Sequence, residues 1–258
     1  MSPIRALLLD LDGTLYGESG PVAGAVDALA TLRRRGVPFR CVTNTTRRSR
    51  RLLAERLAGY GFDIRPDEIV TAVMAAVALL RERGTRRVAP YVAEATLEDL
   101  AEFDLSSGDP QTVLVGDLGD AWDFATLNDA FLHLVGGADL VALQRDRYWQ
   151  KGATLALDAG PFVAALEYAS GKTAAVAGKP TASFYRAALE SLRTDGVDTP
   201  EGVVMVGDDL WGDIDGAQRA GLQAWLVLTG KYRDEVYAAS GIVADRVLAS
   251  IADVPDLV

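Results

Sequence analysis

Ile4-Arg5-Ala6-Leu7-Leu8-Leu9-Asp10-Leu11-Asp12-Gly13-Thr14-Leu15-Tyr16 is the stretch from which both fold and chemistry are read. The apolar run from Ile4 to Leu9, broken only by Arg5, stops at two acids and a glycine. Three further runs end in the same abrupt way: Phe39 to Val42 at Thr43, Ile69 and Val70 at Thr71, and Val203 to Val206 at Gly207. A fifth, Trp225 to Leu228, stops at Thr229 and Gly230. Short continuous apolar runs of this kind fit parallel strands covered on both faces.

Helical patterns separate the runs. Val26, Leu29 and Ala30 precede Arg33 to Arg35 and then Gly36, a basic last turn followed by a glycine stop. Ser49 to Leu57 carries leucines at helical spacing before Gly59, and Pro180 opens a segment with Phe184, Ala188 and Leu192 on one face. Strand and helix in alternation specify an α/β fold with a doubly wound parallel sheet. The alternation lapses in the middle of the chain and resumes at Gly178-Lys179-Pro180. That middle has strands of its own at Val113 to Val115 and Leu140 to Leu143, and helices at Ala125 to Val135 and Pro161 to Ala169. The organisation expected is a core domain of residues 1–71 and 178–258 with a second α/β domain, 72–177, inserted into it.

Composition narrows the partners. The 258 residues are 49% hydrophobic and 24% charged, ordinary for a globular protein. Acidic residues outnumber basic ones 36 to 26, a formal net charge of −10, which argues against nucleic acid or an anionic membrane as the partner. The longest apolar run, Ala72 to Leu80, is far short of a membrane span, and the first dozen residues do not read as a secretory signal. A single cysteine, Cys41, suits a reducing, cytoplasmic setting.

The chemistry is carried by four clusters at strand ends or a helix start. Asp10 and Asp12, two residues apart, can chelate a divalent cation, and one of them can also be a nucleophile. Gly13 allows a tight turn, and Thr14 is expected to fix the loop by hydrogen bonding. Thr43-Asn44-Thr45-Thr46 offers hydroxyl, amide and backbone N–H groups to phosphate oxygens, although taken alone it is also an adequate helix cap. Lys179 can neutralise a substrate phosphate and a nucleophilic carboxylate together. Gly207-Asp208-Asp209-Leu210-Trp211-Gly212-Asp213 supplies three more acids: Asp208 to complete the cation site, Asp213 to support it while pairing Lys179. Acids so close need a cation or a lysine among them. In an open parallel sheet of order 3-2-1-4-5 the strand order reverses between the Asp10 and Asp208 strands, where ligands bind.

Taken together, Asp10-x-Asp12-Gly-Thr14, Thr43-Asn44, Gly178-Lys179-Pro180 and Gly207-Asp208-Asp209-x-x-x-Asp213 resemble the haloacid dehalogenase superfamily, in its order and over nearly the whole chain. The insertion between Thr43 and Lys179 resembles the α/β cap of the NagD type. Arg147-Tyr148, Gly160-Pro161-Phe162, Asp215-Gly216-Ala217-Gln218 and Thr229-Gly230-Lys231-Tyr232 look like the subgroup of phospholysine phosphohistidine inorganic pyrophosphate phosphatases and relatives. The resemblance implies a Rossmann-like core and a phosphatase in which Asp10 is the nucleophile and Asp12 the general acid and base. It implies Mg²⁺ held by Asp10, the backbone carbonyl of Asp12, and Asp208. It also implies phosphate held by Thr43, Asn44 and Lys179, with Asp213 and Asp209 in support. The acid at position 12 favours phosphoryl transfer over dehalogenation. Thr45 departs from a pattern in which many relatives have asparagine.

In the insertion, Asp117 and Arg147 are the candidates for contact with a leaving group, while His133, Gln144 and Arg145 there read as structural or rim, and Cys41, inside an apolar core strand, reads as packing. The function expected is hydrolysis of a small-molecule phosphomonoester. Cleavage of pyrophosphate or of phosphohistidine and phospholysine is the alternative, and a non-catalytic phosphate-binding scaffold is a third reading. Caps of this type also raise the expectation of a homodimer formed through the cap.

Overall fold

A computed structural model describes residues 3–151 and 154–258. Among the described residues, contacts divide the chain into two compact units. The first comprises the chain up to Thr43, Arg50–Val70 and Lys179–Val258; the second comprises Asn44–Ser49 and Thr71–Gly178. The sequence-based division assigned residues 44–49 to the core; the structure groups them with the insertion. Their side chains account for this, because Arg47 is bonded to Asp117 and Ser49 to Glu98, both in the second unit.

The first unit is built on the Ala6–Asp10 strand, every residue of which is buried. It pairs in parallel with Phe39–Thr43 on one side and Val203–Gly207 on the other. Beyond Val203–Gly207 lie Gln223–Val227 and then Arg246–Leu248, and beyond Phe39–Thr43 lies Ile69–Thr71. Counting strands in sequence, the order is the expected 3-2-1-4-5, extended by Arg246–Leu248, which the apolar pattern did not reveal. That last strand is three residues long and mostly unburied, so it lacks a continuous apolar run.

Side chains alternate across the sheet. Leu7 and Leu9 face a core with Leu29 and Leu32 of the Ala25–Arg34 helix, and with Leu53 and Leu57 of the Arg50–Gly59 helix. The Ala182–Ser191 helix, capped by Thr181 rather than begun at Pro180, buries Phe184, Tyr185 and Ala188 and packs on the Phe39–Thr43 strand.

The second unit has its own four-stranded parallel sheet, in the order Ala175–Val176, Asp139–Ala142, Thr112–Val115, Val88–Tyr91. Helices Phe124–Val135 and Ala159–Ser170, capped by Asp123 and Asp158, complete a separate core around Val113, Leu140 and Val163. An antiparallel hairpin of Tyr148–Lys151 and Thr154–Leu157 was not anticipated. No described helix is long and apolar enough to cross a membrane.

The central strand makes a direct test of the packing. Leu7 is fully buried, so Leu7→Ala removes transfer energy and leaves a cavity, at a cost of about 2–5 kcal/mol. Urea unfolding of the two proteins measures it, and a loss well under 1 kcal/mol would contradict the packing described.

Candidate active site

Parallel register decides which side chains can meet. Leu9 is opposite Val206 and Asp10 opposite Val42, so Asp10 sits at the last paired position of its strand while Thr43 and Asp208 lie just beyond theirs. Carboxylate oxygens of Asp10, Asp208 and Asp213 lie within 4.8 Å of one another, and all three residues are buried. The convergence expected of the two acidic loops is therefore present. Asp12, two residues beyond Asp10, is exposed and its side chain stands outside this trio.

Asp213 reaches the site because the chain after Asp209 winds one wide, π-type turn over Leu210–Asp215. Asp209 caps that turn by accepting from the N–H groups of Trp211 and Gly212, at 3.1 and 2.9 Å. Lys179, itself buried, donates to Asp10 Oδ1 at 2.5 Å and to Asp213 Oδ1 at 2.7 Å. Asp213 Oδ2 accepts from the Asp209 N–H at 3.1 Å, and Asp208 Oδ2 from the Lys231 N–H at 2.6 Å. Both oxygens of Asp213 are thus engaged, whereas among the described residues Asp10 Oδ2 and Asp208 Oδ1 accept no hydrogen bond. One open oxygen each on two buried acids, with a third acid beside them, is a hard-oxygen donor set that fits a divalent cation.

The electrostatics agree. Burial would lower the Lys179 ammonium, but Asp10 and Asp213 carry it well above its ordinary range. One positive charge does not neutralise three acids. Burial pushes Asp10 up to about 6 against the pull of Lys179, with Asp208 adding repulsion. Burial, with Asp213 beside it, pushes Asp208 up to about 6, and burial takes Asp213 to about 7 despite Lys179. The site is short of positive charge.

The loop after Asp10 is held differently from expectation. Thr14 Oγ1 is buried and has no hydrogen-bond partner among the described residues. Backbone bonds do the fixing instead: Gly13 N–H to Tyr16 O at 2.7 Å and Leu15 N–H to Leu11 O at 2.9 Å. Gly13 has φ +93°, and a Cβ there would sit 2.1 Å from Asp208 Oδ2, so conformation and space both require glycine. Tyr16 is buried beneath the Arg56 guanidinium, 4.6 Å from its ring, and its hydroxyl is pushed up by burial and then by Asp12.

Of the phosphate candidates, Thr43 is buried at its strand end. Asn44 belongs to the second unit, where its Oδ1 lies 2.6 Å from where a Cβ on Gly178 would stand. Asp117 has a settled partner: Arg47 donates to its Oδ2 at 2.5 Å and its Oδ1 at 3.1 Å, and the Gly119 N–H donates to Oδ1 at 2.7 Å. This acid anchors Arg47, which also lies 5.1 Å from the Trp149 ring centre. Arg147 is exposed and lines a cavity of about 410 Å³ with Arg145, Tyr148 and Leu157. Gln144 is buried and bonded to Asp158, His133 sits half-buried near Asp129, and Cys41 is buried.

Sequence reasoning gave no role to Lys231, Tyr185 or Arg47. A lysine directly after a strand-ending Thr-Gly, in a chain with an acidic loop, was a usable signal for Lys231. Tyr185, whose hydroxyl donates to the Gly212 carbonyl, gave no signal beyond helical spacing. Arg47, in the loop ahead of the Arg50–Gly59 helix, carries no sequence pattern that points to its partner.

Comparison with known proteins places the architecture. A haloacid dehalogenase-like hydrolase model matches residues 7–106, and a HAD-hydrolase-like model matches residues 176–254. The chain belongs to the haloacid dehalogenase-like hydrolases. It is 44% identical over 230 residues to the bovine (Bos taurus) haloacid dehalogenase-like hydrolase domain-containing protein 2, covering 89% of this chain and 86% of that one. It is 36% identical over 266 residues to the human phospholysine phosphohistidine inorganic pyrophosphate phosphatase, covering 100% and 95%. The structure of NagD from Escherichia coli K-12 superposes with a TM-score of 0.88 at 26% identity, covering 97% and 98%. This hydrolase is a phosphatase of the NagD-type branch.

The buried acids give a pH test. Asp10 and Asp208 titrate near 3.8 when unperturbed and near 6 in the fold, so the folded chain holds protons that the unfolded chain releases. The pair therefore subtracts stability as pH rises across that interval, and a bound cation offsets the loss. The rise in Tm on adding saturating divalent cation should be larger at about pH 7.5 than at about pH 5. Differential scanning fluorimetry measures it; equal increments at both pH values would speak against a cation at these carboxylates.

Proposed function

We propose that this phosphatase is Mg²⁺-dependent and hydrolyses a phosphomonoester of a small molecule through a phosphoryl group carried on Asp10. The observation that supports it most is the position of Lys179, which binds one oxygen of Asp10 and leaves the other open beside Asp208. A buried carboxylate fixed through one oxygen is an oriented nucleophile, and its placement replaces much of the entropy cost of an encounter.

Asp10 and Asp208 would hold the ion, with the Asp12 backbone carbonyl as a further ligand; bound there, Mg²⁺ supplies positive charge to phosphate oxygens. The chain's own residues do the rest. One carboxylate oxygen of Asp10 forms a bond to phosphorus while the bond from phosphorus to the leaving oxygen breaks, and Asp12 gives that oxygen a proton. Asp12, now ionised, takes a proton from water as the water oxygen bonds to phosphorus. Phosphate leaves, and the carboxylate of Asp10 and the acid form of Asp12 are restored. The exposure of Asp12 beside buried Asp10 suits this division, since a proton shuttle needs access to water and a positioned nucleophile does not. Lys179, with Thr43, would meet charge on the transferred group. Asp213 holds Lys179 in place, and Asp209 shapes the turn that delivers Asp213. The buried thiol of Cys41 and the absence of a second cysteine suit a cytoplasmic setting.

A panel of sugar phosphates, phosphoamino acids, 4-nitrophenyl phosphate and pyrophosphate, with and without Mg²⁺, tests the reading. Release of phosphate from at least one monoester is expected to require Mg²⁺. Asp10→Asn should lower kcat by about 10³-fold or more, and Asp12→Asn by roughly 10²–10⁴-fold. Turnover of Asp10→Asn at the unmodified rate would remove Asp10 as the phosphoryl carrier, and turnover confined to pyrophosphate would move the assignment to P–O–P cleavage.

A further inference from the structure

The turn Thr229-Gly230-Lys231, just beyond the Gln223–Val227 strand, takes no part in the steps above. It nevertheless touches the site at four points. Thr229 Oγ1 donates to the carbonyl oxygen of Gly13 at 2.6 Å. The backbone N–H of Lys231 donates to Asp208 Oδ2 at 2.6 Å, and its Nζ to Asp209 Oδ2 at 2.8 Å. Gly230, at φ +59°, packs against both acidic loops: a Cβ there would stand 2.0 Å from Asp208 Oδ2 and 2.6 Å from the Gly13 Cα.

Gly13 meets the same carboxylate oxygen from its own side, where a Cβ would be 2.1 Å away and 3.0 Å from the Gly230 Cα. Two glycines from chain segments more than two hundred residues apart therefore close around Asp208 Oδ2, and the Lys231 N–H satisfies it. A carboxylate gripped through one oxygen cannot rotate freely, so its other oxygen is held in one direction. The Thr229 hydroxyl fixes the peptide that follows Gly13, one beyond the Asp12 carbonyl assigned above as the further ligand.

We propose that Thr229, Gly230 and Lys231 are positioning residues for the cation: a third loop that orients Asp208 and the Asp12–Gly13 segment, without touching substrate. The inference rests on the cation site of the proposed function. It adds to that reading the claim that affinity for the ion is set by a turn contributing none of its ligands, as outer hydrogen bonds do at other metal centres.

The test measures binding directly, without turnover. Mn²⁺, which shares the oxygen-ligand preference of Mg²⁺, is titrated into the full chain and the free ion counted by electron paramagnetic resonance. Gly230→Ala is expected to weaken Mn²⁺ binding about 10–100-fold, and Thr229→Val several-fold, with Thr229→Ser restoring it. Gly221→Ala is the control for backbone strain, because Gly221 has φ +83° but nothing within 4 Å of a Cβ. It should lower Tm while leaving Mn²⁺ affinity within about twofold of the unmodified protein. If Gly230→Ala does not fold, the Thr229 pair carries the test. Unchanged affinity in Gly230→Ala and Thr229→Val overturns the inference and leaves the cation site standing. An unmodified protein with no saturable Mn²⁺ binding overturns both.

Discussion

Three carboxylates packed within 4.8 Å of one another, away from water, repel too strongly to coexist as anions, and the buried ammonium of Lys179 is what lets them remain together. The rest of the site is arranged around that constraint. The lysine takes one oxygen from Asp10 and one from Asp213, which both lessens the repulsion and fixes each acid's orientation. Because one charge is insufficient for three, the fold retains an unmet demand for positive charge that a divalent cation could answer.

Topology makes the arrangement attainable. The strand order reverses between Ala6–Asp10 and Val203–Gly207, so loops from opposite ends of the chain leave the sheet side by side. The wide turn over Leu210–Asp215 then brings a third acid back to the same spot, four residues after the acid that caps it. Strand geometry supplies two acids, and helix geometry supplies the third.

Much of this was legible in sequence because it depends on local pattern. Apolar runs such as Val203–Val206 announce buried strands, and the acids that end them mark the loops. Asp10, Asp208, Asp213 and Lys179 could be assigned to one place as soon as the strand order was inferred. What escaped depends on tertiary pairing. Arg246–Leu248 is too short and too exposed to declare itself, and the Tyr148–Lys151 hairpin carries alternation too weak to distinguish from loop. The contact of Arg47 with Asp117 joins residues 70 positions apart and leaves no mark in either neighbourhood. Thr14 shows the opposite failure: a residue type suited to side-chain hydrogen bonding sits in a loop already secured by its backbone.

The grouping of Asn44–Ser49 with the inserted unit bears on how this family could be recombined. An engineer exchanging insertions between two relatives by cutting only near residues 71 and 178 would keep the recipient's Arg47 and discard the acid that receives it. The Arg47 guanidinium would then have lost Asp117, and Ser49 would have lost Glu98. A workable hybrid has to transplant two pieces of chain, the six-residue loop included, or graft an acid equivalent to Asp117 at the matching strand end.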